Sequence, residues 1–317
     1  MSHYVVTGAA GYIGSVLAKK LKQSGHTVTT VDLKATYPAY TDDHWPHTCF
    51  SSELFLKHII DKRVDGIFHL AAHSLLGPSV SDPLPYFINN AGRTAEMVNT
   101  LIQNGWNGKF VFASTAATYG AQPHLVNEDS LKAPINPYGM SKYHAEQILE
   151  NAWEAYGFSS VIFRFFNVAG ADYDVGQARD EPHILTQLSK AAAEGRPFKL
   201  YGGDYDTRDG TCVRDYIHVL DIVNCHLMAL DVLDDSNGCF KFNLGTSNGT
   251  TNLELVKAFQ EIVDPDLKYE IVDRRPGDPP FLVADSSKFR LATGYNFPNS
   301  NMNSIIATHF DWYENEI

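Results

Sequence analysis

Cysteine is scarce in this chain. Four residues in 317, Cys49, Cys212, Cys225 and Cys239, are scattered without a C-x-x-C pair and without His/Cys spacing of the kind a metal site uses. That argues against a disulfide scaffold and against a metal centre, and leaves reduced thiols in a cytoplasmic protein as the expectation. Long apolar runs are missing as well. No stretch approaches the roughly 18 uninterrupted apolar residues of a membrane span. The opening Met1-Ser2-His3-Tyr4-Val5-Val6-Thr7-Gly8 runs into a strand-like pattern without a basic, apolar and small-residue leader. Positive charge is in deficit: Lys+Arg 25 against Asp+Glu 37 gives a net charge of −12. Such a balance repels a polyphosphate chain, so no nucleic-acid partner is expected, although a few local cations can still hold a small anion. Repeats, low-complexity tracts and blocks of like charge do not interrupt the sequence.

What remains is an ordinary globular composition, 44% hydrophobic and 20% charged, in a chain long enough for about two domains. In the first half, short apolar runs at Tyr4–Gly8, Thr27–Leu33, Gly66–Leu70, Lys109–Ser114 and Ser160–Phe166 read as strands. They are apolar throughout rather than alternating, as strands covered on both faces should be. Helices are expected between them at Tyr12–Gln23, Glu53–Lys62, Leu84–Asn104 and Pro137–Tyr156. This alternation predicts an α/β fold with a doubly wound parallel sheet of the Rossmann type. Beyond residue 170 the rhythm breaks. Helices are expected near Ile184–Glu194, Asp221–Val232 and Asn252–Ile262, the last capped by Thr251. The chain thus divides into a dinucleotide-binding region, 1–170, and a smaller substrate-binding α/β region, 171–317, with later segments free to return to the first sheet.

Gly8-Ala9-Ala10-Gly11-Tyr12-Ile13-Gly14 places G-x-x-G-x-x-G between the first strand and the first helix. Glycines at this spacing permit a tight turn, close approach of backbone to a pyrophosphate at the positive helix end, and close packing of helix on strand. The second strand ends in Val31-Asp32, where a carboxylate can accept hydrogen bonds from an adenosine ribose and would repel a 2′-phosphate. NAD is therefore the expected cofactor, rather than NADP.

Tyr138-Gly139-Met140-Ser141-Lys142 is Y-x-x-x-K at the start of a helix. An i, i+4 pair shares one helix face, which would put the ammonium beneath the phenol. A free tyrosine titrates near ~10, and bringing it to ~7 takes about 4 kcal/mol. One cation at ~5 Å contributes roughly 3 kcal/mol at an effective dielectric of ~20, so Lys142 together with a positively charged nicotinamide would suffice. Upstream, Phe110-Val111-Phe112-Ala113-Ser114-Thr115 ends a strand in hydroxyls, at the edge where open α/β sheets place their ligands. Thr115 is the candidate to relay a sugar hydroxyl proton to Tyr138.

With these motifs the chain resembles the extended short-chain dehydrogenase/reductases and, within them, the UDP-glucose (UDP-galactose) 4-epimerase family. Two segments carry the closer likeness: Arg164-Phe165-Phe166-Asn167-Val168-Ala169-Gly170-Ala171; and Asp204-Tyr205-Asp206-Thr207-Arg208 running into the signature Asp209-Gly210-Thr211-Cys212-Val213-Arg214-Asp215-Tyr216-Ile217-His218-Val219. Arg275-Pro276-Gly277-Asp278 with Val283-Ala284-Asp285 matches the family's C-terminal substrate segment. The resemblance implies Tyr138 as base, Thr115 as its hydroxyl partner and Lys142 as the cofactor-positioning cation. It implies cofactor contacts at Gly8, Gly11, Tyr12, Ile13, Gly14, Asp32, Leu70, Ala71, Ala72, Asn89, Ser114 and Phe165. It further implies a UDP-sugar held by Asn167, His183, Ile184, Lys199, Tyr201, Arg214, Arg275 and Asp278, together with Thr115 and Tyr138. The reaction would interconvert UDP-galactose and UDP-glucose through a transient 4-keto sugar, N-acetylated forms included as possible substrates.

The chain departs from the family at Cys49-Phe50, where an Asp-Ile or Asp-Leu pair is common, at Ser74, where many members carry lysine, and in Asn89-Asn90-Ala91-Gly92-Arg93-Thr94. UDP-pentose and UDP-uronate epimerases remain alternatives. A 4,6-dehydratase, whose Asp-Glu pair would fall at Ala116-Ala117, and a non-catalytic dinucleotide sensor are less favoured. The resemblance also implies a homodimer formed through the Leu84–Asn104 and Pro137–Tyr156 helices, with Met97, Leu101 and Trp153 as candidate contacts.

Overall fold

A computed structural model describes residues 1–35, 39–122, 124–177, 182–275 and 277–315. Contacts group the chain into two compact units that alternate along it. Unit 1 comprises Met1–Gly120, Leu131–Arg164 and Val223–Phe242; unit 2 comprises Ala121–Ser130, Phe165–Ile222 and Asn243–Ile317.

Unit 1 is built on a sheet whose described strands run, edge to edge, Cys239–Leu244, Ser160–Phe165, Lys109–Thr115, Gly66–His69, His3–Thr7, Thr27–Val31 and Asp43–Trp45. His3–Thr7 pairs in parallel with Thr27–Val31 on one side and with Gly66–His69 on the other. The chain moves outward in one direction and then restarts in the other, so the carboxyl ends of these two strands flank the switch point where doubly wound sheets bind ligands. Apolar side chains on one face of it share a single core with the helices packed there: Val5, Val31, Phe55, Ile67, Phe110, Phe112, Leu149 and Phe158. The sheet is of the doubly wound kind expected.

Two expectations change here. Leu84–Asn104 is not one regular helix but a short turn at Leu84–Tyr86, a π-helical stretch at Phe87–Gly92 and an α-helix at Arg93–Gln103. The wide turn is held by Asn90, whose Oδ1 accepts from the His73 backbone N–H at 2.9 Å. Its Nδ2 donates to the His73 carbonyl at 2.9 Å and to Ser141 Oγ at 3.0 Å. A buried carboxamide satisfied from three sides holds a backbone that helix propensity alone would not choose. Met97 and Leu101, read as candidate dimer contacts, are instead fully buried in the core of unit 1.

Unit 2 centres on the strand Val213–His218. It pairs with Gly249–Thr251 antiparallel, and with Phe281–Leu282 and Asn167–Ala169 in parallel. A second, two-stranded sheet joins Phe198–Tyr201 to Tyr269–Val272. Helices Ile184–Ala193, Asn252–Ile262 and Met302–Asn315 close its core through Leu185, Leu188, Leu255, Phe259, Ile305 and Ile306. Thr251 and Glu254 form a capping box at the head of Asn252–Ile262. Among the described residues no helix is long and apolar enough to cross a membrane.

Candidate active site

The glycine turn explains itself in unit 1. Gly8 has φ +72°, and a Cβ there would lie 2.8 Å from the Ala71 nitrogen; a Cβ on Gly14 would lie 2.3 Å from the Gly8 carbonyl. Neither side chain can exist without moving the backbone, so both glycines serve the close packing of strand, turn and helix. Gly11 differs: a Cβ there meets only the Gly8 oxygen, at 3.2 Å, and its other sides are open. No side chain caps the helix Tyr12–Gln23 that follows, which leaves backbone donors at its positive end. Asp32 Oδ2 accepts from the Ala10 N–H at 3.0 Å and Oδ1 from the Lys34 N–H at 2.9 Å. Each oxygen keeps a further lone pair. An open glycine, an uncapped helix end and a fixed carboxylate fit a dinucleotide.

His69, unremarked in the sequence, joins the strands at the switch point. One ring nitrogen bonds Thr7 Oγ1 at 2.7 Å and the other Thr94 Oγ1 at 3.1 Å. Burial, with Lys142 nearby, keeps the ring neutral. Asn89 is buried, donating to Asn90 Oδ1 at 3.1 Å and accepting from Arg93 at 3.4 Å. Ser114 donates its hydroxyl to Glu146.

Thr115 and Tyr138 come together. The Thr115 oxygen accepts from the Ala117 N–H at 3.2 Å, and the same hydroxyl lies near enough to the Tyr138 phenol to lower its pKa. Burial nevertheless pushes the phenol up to about 12, against the lowering effect of Thr115. Lys142 Nζ lies 4.0 Å from the centroid of the Phe112 ring. For an ammonium stripped of water, the negative face of an aromatic ring is an attractive seat. Desolvation brings its pKa down to about 7, opposed by Glu146. The chain's own groups therefore leave Tyr138 a poor base, and a further positive charge is required to make it one.

Unit 2 holds a cleft of about 280 Å³ that gathers Ile184, Lys199, Tyr201, Arg275 and Asp278. Arg275 stacks on Tyr201 at 4.5 Å. Arg214 reaches the same group through Asp278, N to O 3.5 Å. Pro276 lies outside the described residues. Asn167 sits in register with Tyr216, and His183 stands at the N-cap position of the helix Ile184–Ala193 without capping it, both ring nitrogens buried and without a hydrogen-bond partner. Neither is among the residues that line the cleft. Phe165 is buried at the end of its strand. Gln187, Arg196 and Asn252 also line the cleft and were missed. Arg196 just before, and Lys199 within, the short strand Phe198–Tyr201 of an acidic chain were the available signal.

Most of the long motif Asp209–Val219 is scaffold. Asp215 is buried and accepts from the Thr246 N–H (2.7 Å), the Thr246 hydroxyl (2.7 Å), the Ser247 N–H (2.9 Å) and the Ala284 N–H (3.1 Å). His218 accepts from the Leu220 N–H at 3.1 Å and bonds Thr308 Oγ1 at 2.9 Å. Of this motif's charged side chains, Arg214 is the one directed to the cleft group.

Residues 4–245 match the family described as NAD dependent epimerase/dehydratase, and the chain belongs to that family. Its relatives within it include UDP-glucose 4-epimerases. Those of Lacticaseibacillus casei and Lactobacillus helveticus are 38% and 37% identical, each alignment spanning 98% of this chain and 96% of the relative. The solved UDP-glucose 4-epimerase of Stenotrophomonas maltophila, with bound NAD and formylated UDP-arabinopyranose, is 29% identical. It superposes with a TM-score of 0.93, covering 100% of this chain and 99% of that one.

Proposed function

We propose that this protein is an NAD-dependent 4-epimerase interconverting UDP-galactose and UDP-glucose. The observation that carries the reading is the approach of the Thr115 hydroxyl to the Tyr138 phenol, with a buried Lys142 one turn further along the helix, in a chain whose relatives include UDP-glucose 4-epimerases. Gly8, Gly11, Tyr12, Ile13 and Gly14 would receive the pyrophosphate and Asp32 the adenosine ribose. When bound, NAD supplies reversible acceptance of the C4 hydrogen with its electron pair. Thr115, oriented by the Ala117 N–H, passes the 4-hydroxyl proton to Tyr138. Tyr138 returns a proton to the 4-oxygen after the 4-keto sugar has presented its other face. Arg214, Arg275, Lys199 and Tyr201 would hold the nucleotide, with guanidinium forks suited to phosphate oxygens. Ala116 and Ala117 cannot exchange protons, which disfavours dehydration.

A homodimer in the cytoplasm, serving galactose metabolism, completes the reading. Leu84 and Ile88, 67% and 58% exposed, offer apolar contacts on the first of the two expected dimer elements. The test is to supply purified protein with UDP-galactose. UDP-glucose should form without net NADH, and Tyr138→Phe should cut its rate by at least about 10²-fold; undiminished turnover in that variant rejects the assignment. A parallel screen of N-acetylated, pentose and uronate UDP-sugars sets the substrate range.

A further inference from the structure

Lys142 is only 2% exposed, and one turn along the same helix lies Glu146, fully buried. A carboxylate one turn from a buried ammonium ordinarily pairs with it. Here it is claimed elsewhere. Arg164 Nε donates to both Glu146 oxygens, at 3.0 and 3.1 Å, and its Nη2 donates to Oε2 at 2.6 Å. Ser114 donates to Oε1. Arg164 is itself fixed by Nη1 donating to the Tyr119 hydroxyl at 2.8 Å. Among the described residues no carboxylate forms an ion pair with Lys142, whose ammonium sits over Phe112 instead.

We propose that Glu146 and Arg164 are positioning residues of the proton-transfer site: Glu146 is the counter-charge that keeps buried Lys142 cationic, and the Arg164 fork holds that carboxylate out of a direct ion pair, leaving the ammonium available to Tyr138. The proposal rests on the assignment of Tyr138 and Lys142 to proton transfer. Three observations favour it over a bridge that merely holds helix to sheet. A buried ion pair is by itself a weak source of stability. The cluster carries two cations against one carboxylate, so one positive charge is surplus. Ser114, immediately before Thr115, ties the carboxylate to the strand end that presents the relay hydroxyl. Glu146 also acts on Lys142 electrostatically, opposing the desolvation that lowers its pKa.

The two partners of the bridge should therefore move Lys142 in opposite directions, and the loss of kcat with little change in KM that accompanies those shifts is the readout a purely structural bridge would not give. Lysine labelled with 13C at Cε, with the Lys142 signal assigned by its loss in Lys142→Met, reports the titration in the full-length protein. Glu146→Gln should lower the Lys142 midpoint and Arg164→Met should raise it, each by about one pH unit or more. At neutral pH kcat should fall in both, with KM for UDP-galactose changed less than kcat. Midpoints that move together, or stay in place, overturn the proposal. Should a charge-removing variant not fold, Ser114→Ala releases one carboxylate oxygen and should raise the midpoint by less; no rise there overturns it equally. The midpoints address positioning and Tyr138→Phe turnover addresses catalysis, so either can fail alone.

Discussion

Lys142 and Arg275 are both cations of the proposed machinery, and the chain holds them in opposite ways. Lys142 is shut away from water over Phe112, with a pKa brought down to about 7. Arg275 lines a cleft and stacks on Tyr201, which is 37% exposed. Proton transfer needs a charge whose influence on a neighbouring phenol is undiluted by water, and burial supplies that at the cost of making the charge itself labile. Capture of a diphosphate needs fixed charges that exchange water for phosphate and back, so accessible guanidinium groups serve better. On the proposed reading, unit 1 carries a desolvated proton-handling group and unit 2 an open cationic one.

The sharpest way to break that contrast is at Tyr138. Tyr138→Phe keeps the ring and removes the titrating oxygen, so kcat should fall by roughly 10²- to 10⁴-fold while the apparent KM for UDP-galactose moves little. A comparable loss in KM would mean that the phenol serves binding instead, and the division of labour would fail. Arg275→Ala should show the reverse pattern. Losing a charge-assisted contact worth about 1.5–3 kcal/mol raises KM by roughly 10- to 150-fold, with kcat changed by a smaller factor.

The contrast was partly legible in the sequence. Gly8 and Gly14 announce the turn because no other residue fits against Ala71 and the Gly8 carbonyl, and Tyr138 and Lys142 announce themselves by helical spacing. The apolar strands were read to within a residue or two because burial on both faces leaves a local mark. What could not be read depends on partners far along the chain. The π-helical turn exists because Asn90 finds the His73 backbone and Ser141, 17 and 51 residues away. The seat of Lys142 over Phe112 and the capture of Glu146 by Arg164 are tertiary facts. Asp43–Trp45 is only three residues long, too short for any periodicity. Within Asp209–Val219, spacing does not separate Arg214, which points to the cleft group, from Asp215, which pins three backbone amides.

The labile charge has a stability signature. Folding lowers the pKa of Lys142 from 10.5 to about 7, so between these values the unfolded chain binds the extra proton and stability rises with pH. Below the folded value the full cost of a buried ammonium is present. Lys142→Met removes that dependence. Thermal unfolding followed from pH 6.5 to 9.5 should show a flatter profile in the variant, with its melting temperature above that of the parent at the acid end. A parallel slope in both proteins would place the proton uptake elsewhere.

The smallest effect is expected at Tyr201, and it tests whether the cleft is organised by more than its charges. The ring supports the Arg275 guanidinium at 4.5 Å and contributes little charge of its own. A stacked cation at a part-exposed site is worth about 0.5–1 kcal/mol, so Tyr201→Ala should raise KM by roughly two- to six-fold. Tyr201→Phe, which keeps the ring face, should stay near the parent. If alanine and phenylalanine weaken binding alike, the hydroxyl rather than the stack is what matters. If neither does, Arg275 is held well enough without support, and the open cleft is as simple as a pair of accessible guanidinium groups would make it.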